Sequence, residues 1–359
     1  MRRIITYNNG HVLSYRQTAP GYYDPVTRPY FGTGADGDLS TTGNVTLTST
    51  LDGERVVKHY NNLTVNVGHT LTVSNRCKGL ILYVNGTLTL NGIIDMSTKG
   101  GNSIPTWSDI DKFAIRITER KAPPHDTIVI VGYEYMSQSA MAKNSLPYQM
   151  NSIYNSTAYY PGNNGAAAIT SGCGGDGGNG GQALIKGTGG NADALRCLTL
   201  AGFGNLYSGG AGAGGVSAKG YSVVSSTVCF YAQSVVGFDG AGGNGSSVGD
   251  TFNTGGGAGS PGGTGTYAGG TGKGGHLIII CRVLSGIGQM KSTGSAGGGA
   301  SSAVAGGGGS GGGPITLLWG AVSNWAGSAI ASGGAGGASS SGCPGGAGGA
   351  GYIHSVQLT

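Results

Sequence analysis

The sequence predicts a mainly β protein: a short-strand β-solenoid or sandwich, then a Gly-rich stack of polyglycine II helices, with little α-helix. Three observations predict it. Short Val/Leu/Ile/Thr runs alternate in hydrophobicity and are split by turn residues over 41–99. Glycine is unevenly spread: 14 of the 77 glycines fall in residues 1–150 and 63 in 151–359. Many of those glycines also keep a period of three, as in Gly174, Gly177, Gly180, in Gly209, Gly212, Gly215, and in Gly256, Gly259, Gly262, Gly265.

Residues 1–40 are polar and turn-rich, with PGYYDPVTRPYFGTGADGD over 20–38, and read as a meandering attachment arm. In FGTGADGD, Asp36 and Asp38 flank a glycine; a tight turn is favoured there over a shared cation. Residues 41–100 supply NVTLTST, NLTVNV, TLTVS, LILYV, TLTL and IIDM, strands of about five residues set close together. The cadence VNGTLTLNGIIDM at 84–96 has the form of a β-helix rung. Residues 101–165 read as an inserted, Tyr-rich lobe. Two strand-like runs lie around a Pro-Pro turn in KFAIRITERKAPPHDTIVIV, and a short helix is expected near 138–143.

Residues 166–359 form the Gly-rich part. From Gly333 the threefold register runs through Gly336, Ser339, Gly342, Gly345, Gly348 and Gly351. Three residues per turn is the period of the polyproline II helix, which makes no internal hydrogen bonds and offers its N–H and C=O groups sideways. Glycine loses more entropy on folding than any other residue, so the segments must be bonded to each other to be ordered. A Gly-rich β-solenoid is the alternative. Collagen is disfavoured by 11 prolines and a broken period. A disordered linker is disfavoured by the apolar islands HLIIICRVL (276–284) and PITLLWGAV (314–322). The part as a whole carries little charge, six Lys/Arg and four Asp, which suits backbone packing better than a catalytic cleft.

Several chemistries lose support. The net charge is only +5, without a basic cluster, so nucleic acid is not an expected partner. No apolar window reaches the length of a membrane span, and the N-terminus lacks the apolar stretch of a signal peptide. The six cysteines are far apart with no CxxC spacing, so buried free thiols are expected rather than zinc. GAGAGG at 210–215 matches a dinucleotide fingerprint, but VSAKGYSVVSS after it is not helix-like. GGTGKGG at 269–275 lacks the P-loop spacing. Asp109 and Asp111 alternate in WSDIDK but have no supporting feature for hydrolysis, so an enzyme is not expected, nor any cofactor or metal. Aromatic residues between Gly motifs are the best functional signal: Tyr and Trp give rigid amphipathic area for sugars or proteins.

GGDGGNGGQ, SGGAGAGG, GGGAGSPGGTG, GGGGSGGG and GGAGGAGY, separated by short variable segments, resemble the distal adhesins of T-even-like bacteriophage tail fibres. FGTGADGD, HYNNLTVNVGHTLTV and VNGTLTLNGIIDMSTKGG look like the opening of Gly-rich phage and prophage virion proteins. The resemblance implies a virion tail-fibre or tail-tip adhesin, with packed polyglycine II helices displaying receptor-binding loops. It places receptor contacts in loops 203–207, 264–268 and 319–325, with Phe203, Tyr207, Tyr267, Trp319 and Trp325 as candidates. It implies a host-surface glycan or outer protein as partner, and other tail proteins held through the N-terminal region. Fibres of this kind commonly form homotrimers; no motif marks one here. The competing expectation is a structural or decoration protein of the virion without a receptor. An ice-binding protein is disfavoured, because no regular Thr row lies on the Gly segments.

Overall fold

The structure is a computed structural model. It describes residues 31–101, 161–168, 257–259, 262–299, 305–340 and 342–357, the backbone of strands elsewhere, and scattered positions between 174 and 212. The described part is mainly β, with parallel sheets and no helix. The N-terminal region expected as an arm holds β1 (Arg3–Asn8), β2 (His11–Ala19) and β3 (Tyr22–Thr27), an antiparallel meander. Pro25, within the turn-rich stretch, falls in β3, which is an edge strand, the position in a sheet where proline is tolerated.

The main body is a parallel β-solenoid. Its strands are β4 (Leu39–Ser40), β5 (Val45–Leu47), β6 (Val56–Tyr60), β7 (Leu63–Val65), β8 (Thr70–Val73), β9 (Leu80–Leu90) and β10 (Ile93–Asp95). Beyond the inserted residues come β19 (Leu277–Gly286), β20 (Gln289–Lys291), β21 (Ile315–Trp325), β22 (Ser328–Ile330) and β23 (Ile353–Gln357). The long strands form one sheet in the order β23-β21-β19-β9-β7-β4, with β6 also on β9; the short strands form another, β22-β20-β10-β8-β5. Each long strand leads through a short turn into a short one. The rungs are therefore β4–β5, β6/β7–β8, β9–β10, β19–β20 and β21–β22, and β23 begins a sixth.

The insertion contains β11 (Ala114–Glu119) and β12 (His125–Ile130), paired antiparallel, as the runs around Pro-Pro predicted. It also contains β13 (Met150–Asn151) and β14 (Ala158–Tyr160); β15 (Gln182–Ile185), β16 (Leu195–Arg196), β17 (Val216–Lys219) and β18 (Ser246–Val248) follow in the Gly-rich part before β19. The helix expected near 138–143 lies outside the described residues, as do Asp109 and Asp111.

The boundary expected after residue 100 does not separate two sheets. β9 pairs with β19 from Leu80↔Leu277 to Thr89↔Ser285, and β19 pairs with β21. The two apolar islands of the Gly-rich half are thus central strands. Residues at alternate positions face between the sheets and stack in columns, such as Leu82, Ile279 and Leu317, all fully or almost fully buried. Each such side chain contributes roughly 1.5–3 kcal/mol. The opposite face of the long sheet is covered too, at Ile81, Ile278, Ile280 and Leu318. Two covered faces explain why LIII and ITLL are unbroken apolar runs rather than alternating ones.

The last rungs are joined by Gly segments. After β20 the chain runs out over 292–299 and back over 305–314; after β22 it runs out over 331–338 and back over 343–352. Neighbouring segments bond at every third residue. Gly306, Gly309 and Gly312 donate to the carbonyls of Cys343, Gly346 and Gly349, at 3.0, 2.9 and 2.9 Å. Gly307, Ser310 and Gly313 donate to Gly298, Ser295 and Ser292, running antiparallel. This lateral, threefold bonding is the pattern expected of packed polyglycine II helices. Glycine is required by proximity: a Cβ on Gly309 would lie 2.2 Å from the Gly334 oxygen. The register from 333 to 351 is one hairpin and not one helix. Gly345, Gly348 and Gly351 donate back to Gly337, Gly334 and Ala331, and Gly342 at the bend has a φ of 79°. Buried Ser310 and half-buried Ser295 fit between segments because their hydroxyls donate to the Gly272 carbonyl, at 2.9 and 2.5 Å.

Cys77, Cys281 and Cys343 are free and buried; Cys173, Cys197 and Cys229 lie outside the described residues. Burial raises all three described thiols above their ordinary value, Cys281 to about 12. Thiolates are the reactive form. Alkylation of the native protein at pH 8, mapped by mass spectrometry, is expected to leave these three unmodified until denaturant is added.

Candidate functional site

Of the five aromatic candidates, Tyr267 is the one described in a connection between Gly segments. It is half-buried in the bend at 264–268, flanked by exposed Thr264, Gly265, Thr266 and Ala268. Trp319 and Trp325 do not lie in a loop. Both belong to β21 and pack against the core between the sheets, Trp319 pairing with Cys281 on one side and Gln357 on the other. In the fold Gly320 and Ala321 form a bulge within the strand, opposite Arg282. Phe203 and Tyr207 lie outside the described residues. The structure therefore does not assemble the five into one surface.

The same bulge recurs in successive rungs and builds a polar corner on the solenoid. It falls at Asn61–Asn62, at Asn85–Gly86, at Arg282 and at Gly320–Ala321. A bulge interrupts the ladder and re-aims side chains, and here polar side chains replace the missing bonds. Asn62 Oδ1 accepts from Thr87 N at 3.0 Å, and Asp38 Oδ1 accepts from Asn62 N at 2.9 Å. Arg282 donates through Nε to the Asn85 carbonyl (2.6 Å) and through Nη2 to Asn85 Oδ1 (3.0 Å).

Aromatic rings flank this corner. The Arg282 guanidinium lies 4.9 Å from the centre of the Phe31 ring, within cation–π range. His59 stacks on Tyr83, 4.6 Å apart and 4° from parallel. The Asp-Gly-Asp turn leads in: Gly37 N donates to Gly34 O at 2.9 Å. Asp36 accepts from His59 N at 2.6 Å and pairs with Lys58 at 2.8 Å. The His59 N–H, then Lys58, hold the Asp36 carboxyl below its usual range. Both aspartates thus tie the first rung to the second, which fits the turn better than a shared cation.

The corner offers amides, a guanidinium and ring faces, groups that contact hydroxyl-rich or peptide ligands; they are already engaged with one another. Among the described residues no group of three His, Cys, Asp or Glu side chains is placed to hold a metal, and no helix is long and apolar enough to cross a membrane. Arg282, Phe31 and the His59–Tyr83 pair were not legible as a unit, since they meet only after rungs far apart in sequence stack. The one local signal was the recurrence of Asn before LTV and TLTL, at 62 and 85. No protein-family model, no curated protein and no solved structure matches the chain.

Proposed function

We propose that the protein is a bacteriophage virion component, a tail-fibre or tail-tip adhesin that meets a host-surface glycan or outer protein through connections between its Gly segments. The observation that carries this reading is the way the Gly segments grow out of the solenoid rungs and bond to each other at every third residue. Such a scaffold holds a connection such as 264–268 in place before binding, so little ordering entropy is lost on contact. Saturable binding of the purified chain to host bacteria is expected, and it should disappear when either surface glycan or outer proteins are stripped. Tyr267→Ala is expected to weaken that binding roughly tenfold, as loss of a central aromatic anchor does. A folded chain that shows no saturable binding would overturn the reading. One observation favours a second: Trp319 and Trp325 pack on the core instead of standing in a loop. That removes part of the display surface and suits a structural protein of the virion without a receptor. Its mark would be incorporation into particles whose adsorption is unchanged by Tyr267→Ala.

A further inference from the structure

The short sheet turns one row of side chains inward. Val45, Leu71, Ile94, Met290 and Ala329 pair in register across β5, β8, β10, β20 and β22 and pack on the core. The pleat therefore turns the residue on either side of each outward. One outward row reads Thr46, Thr72, Asp95, Lys291 and Ile330, one residue per rung. In the row beside it, Thr70 and Gln289 lie on either side of Ile93. Thr46 is exposed and the others are half-buried. Strands about 4.8 Å apart, with alternate residues of one strand about 6.6 Å apart, set these groups on a regular grid. Part of its bonding capacity is unused within the chain. Asp95 and Lys291 stand side by side in register, yet the ion pairs among the described residues lie elsewhere, at Lys58–Asp36, Arg76–Asp52 and Lys78–Glu54. Thr72 Oγ1 donates to the Asp95 carbonyl at 2.6 Å, and Asp95 Oδ1 accepts from Ser97 N at 2.7 Å. The other Asp95 oxygen, the Lys291 ammonium and the Gln289 amide have no hydrogen bond among the described residues. The rim of the face is apolar: Val67 and Ile287, 73% and 69% exposed, stand in the turns that lead into β8 and β20.

We propose that the outer face of the short sheet binds a neutral polysaccharide. A sugar ring carries hydroxyls that both donate and accept around its edge, and apolar C–H groups on its faces. Threonine hydroxyls match the edge, because they too donate and accept, and so does the Gln289 amide. Asp95 and Lys291 add the stronger bonds that a charged partner makes to a hydroxyl. Ile93 and Ile330 within the grid, with Val67 and Ile287 at its rim, match the C–H faces. The two rows hold one acid and one base, so the face has no net charge with which to hold an acidic or a basic polymer. The same rows recur from rung to rung, so successive units of one linear glycan meet equivalent groups. This site is on the solenoid and not on the connection at 264–268, so it goes beyond the adhesin reading and does not depend on it.

The test measures binding of the full chain to immobilised dextran, mannan and laminarin, three neutral hexose polymers, with hyaluronan as the acidic one. Saturable binding to at least one neutral polymer is expected, and none to hyaluronan. Gln289→Ala and Lys291→Ala together are expected to weaken it roughly tenfold or more, with an unchanged melting temperature, since both side chains face outward and hold nothing in the fold. Each single variant should show part of that loss, and Tyr267→Ala none. Binding to no neutral polymer, binding to hyaluronan alone, or a double variant that binds as wild type does would each overturn the proposal. The two readings fail separately. Glycan binding lost in the double variant, by a chain that does not bind cells, supports this site and removes the adhesin. Cell binding that falls with Tyr267→Ala, by a chain that binds no neutral polymer, does the reverse.

Discussion

Gly309→Ala is expected to destabilise the protein by about 3 kcal/mol or more, while Gly43→Ala is expected to leave it unchanged or slightly more stable. In both, alanine restricts the unfolded chain and so favours folding by about 0.4–1 kcal/mol. At Gly43 nothing lies within 4 Å of the added methyl, so that gain stands. At Gly309 the methyl would sit 2.2 Å from the Gly334 oxygen and 2.6 Å from the Ala335 oxygen. Restoring contact distance means moving a segment by about an ångström. Gly309 donates to Gly346 at 2.9 Å and accepts from Gly178 at 2.7 Å, so the shift strains two bonds at once. Overpacking costs about 1–3 kcal/mol and each lost bond about 1 kcal/mol, which outweighs the entropic gain. Equilibrium denaturation of the two variants beside wild type measures the difference. Equal stability of the pair would mean that the segments are not held against each other at this spacing.

The second large effect is acid lability from His276. Its imidazole is fully buried at the start of β19, and neither ring nitrogen has a hydrogen-bond partner among the described residues. Burial, with a smaller contribution from nearby Arg55, pushes its pKa down to about 3. Below pH 6.5 the unfolded chain takes up a proton there that the folded chain refuses until about pH 3. Stability is therefore complete above pH 6.5 and falls as the pH drops towards 3, by an amount on the order of several kcal/mol. His354, also lowered by burial, adds a loss of the same sign. Asp36 is lowered as well, but as a carboxylate it loses its contribution only as the pH falls through and below its ordinary value of 3.8. The slope between pH 6.5 and 4 thus belongs mainly to the histidines. In melts at pH 7, 5 and 4, His276→Leu should flatten that slope and cost little at pH 7, since an unpartnered polar ring is replaced by an aliphatic group of similar size. An unchanged slope in the variant would assign the acid loss elsewhere.

The strands of the first rungs were legible because each is a local alternation bounded by turn residues. TLTVS and IIDM fall on β8 and β10, while LILYV and TLTL fuse into β9. They fuse because NG between them is a bulge and not a turn, which becomes visible only when the neighbouring rung is in place. Phe31, Tyr83 and Arg282 carried no signal of belonging together, since the stacking of rungs and nothing local brings them near. The Trp residues misled for the opposite reason. An aromatic residue beside glycine reads as a display loop, whereas the pleat of β21 turns Trp319 and Trp325 toward the core.

The sequence by itself determined the mainly β class, the short strands and the threefold spacing of glycine. Each is a period that one segment carries alone: side-chain alternation in a strand, or a row without Cβ atoms in an extended helix. Only the tertiary structure decided that Leu80–Leu90 and Leu277–Gly286 are adjacent strands of one sheet, and that the glycines from 333 to 351 fold back on themselves. A period states which face of a segment can be buried or bonded. It does not state against what, because many Gly segments and many apolar strands offer the same face, and the choice among them is made by packing over the whole chain.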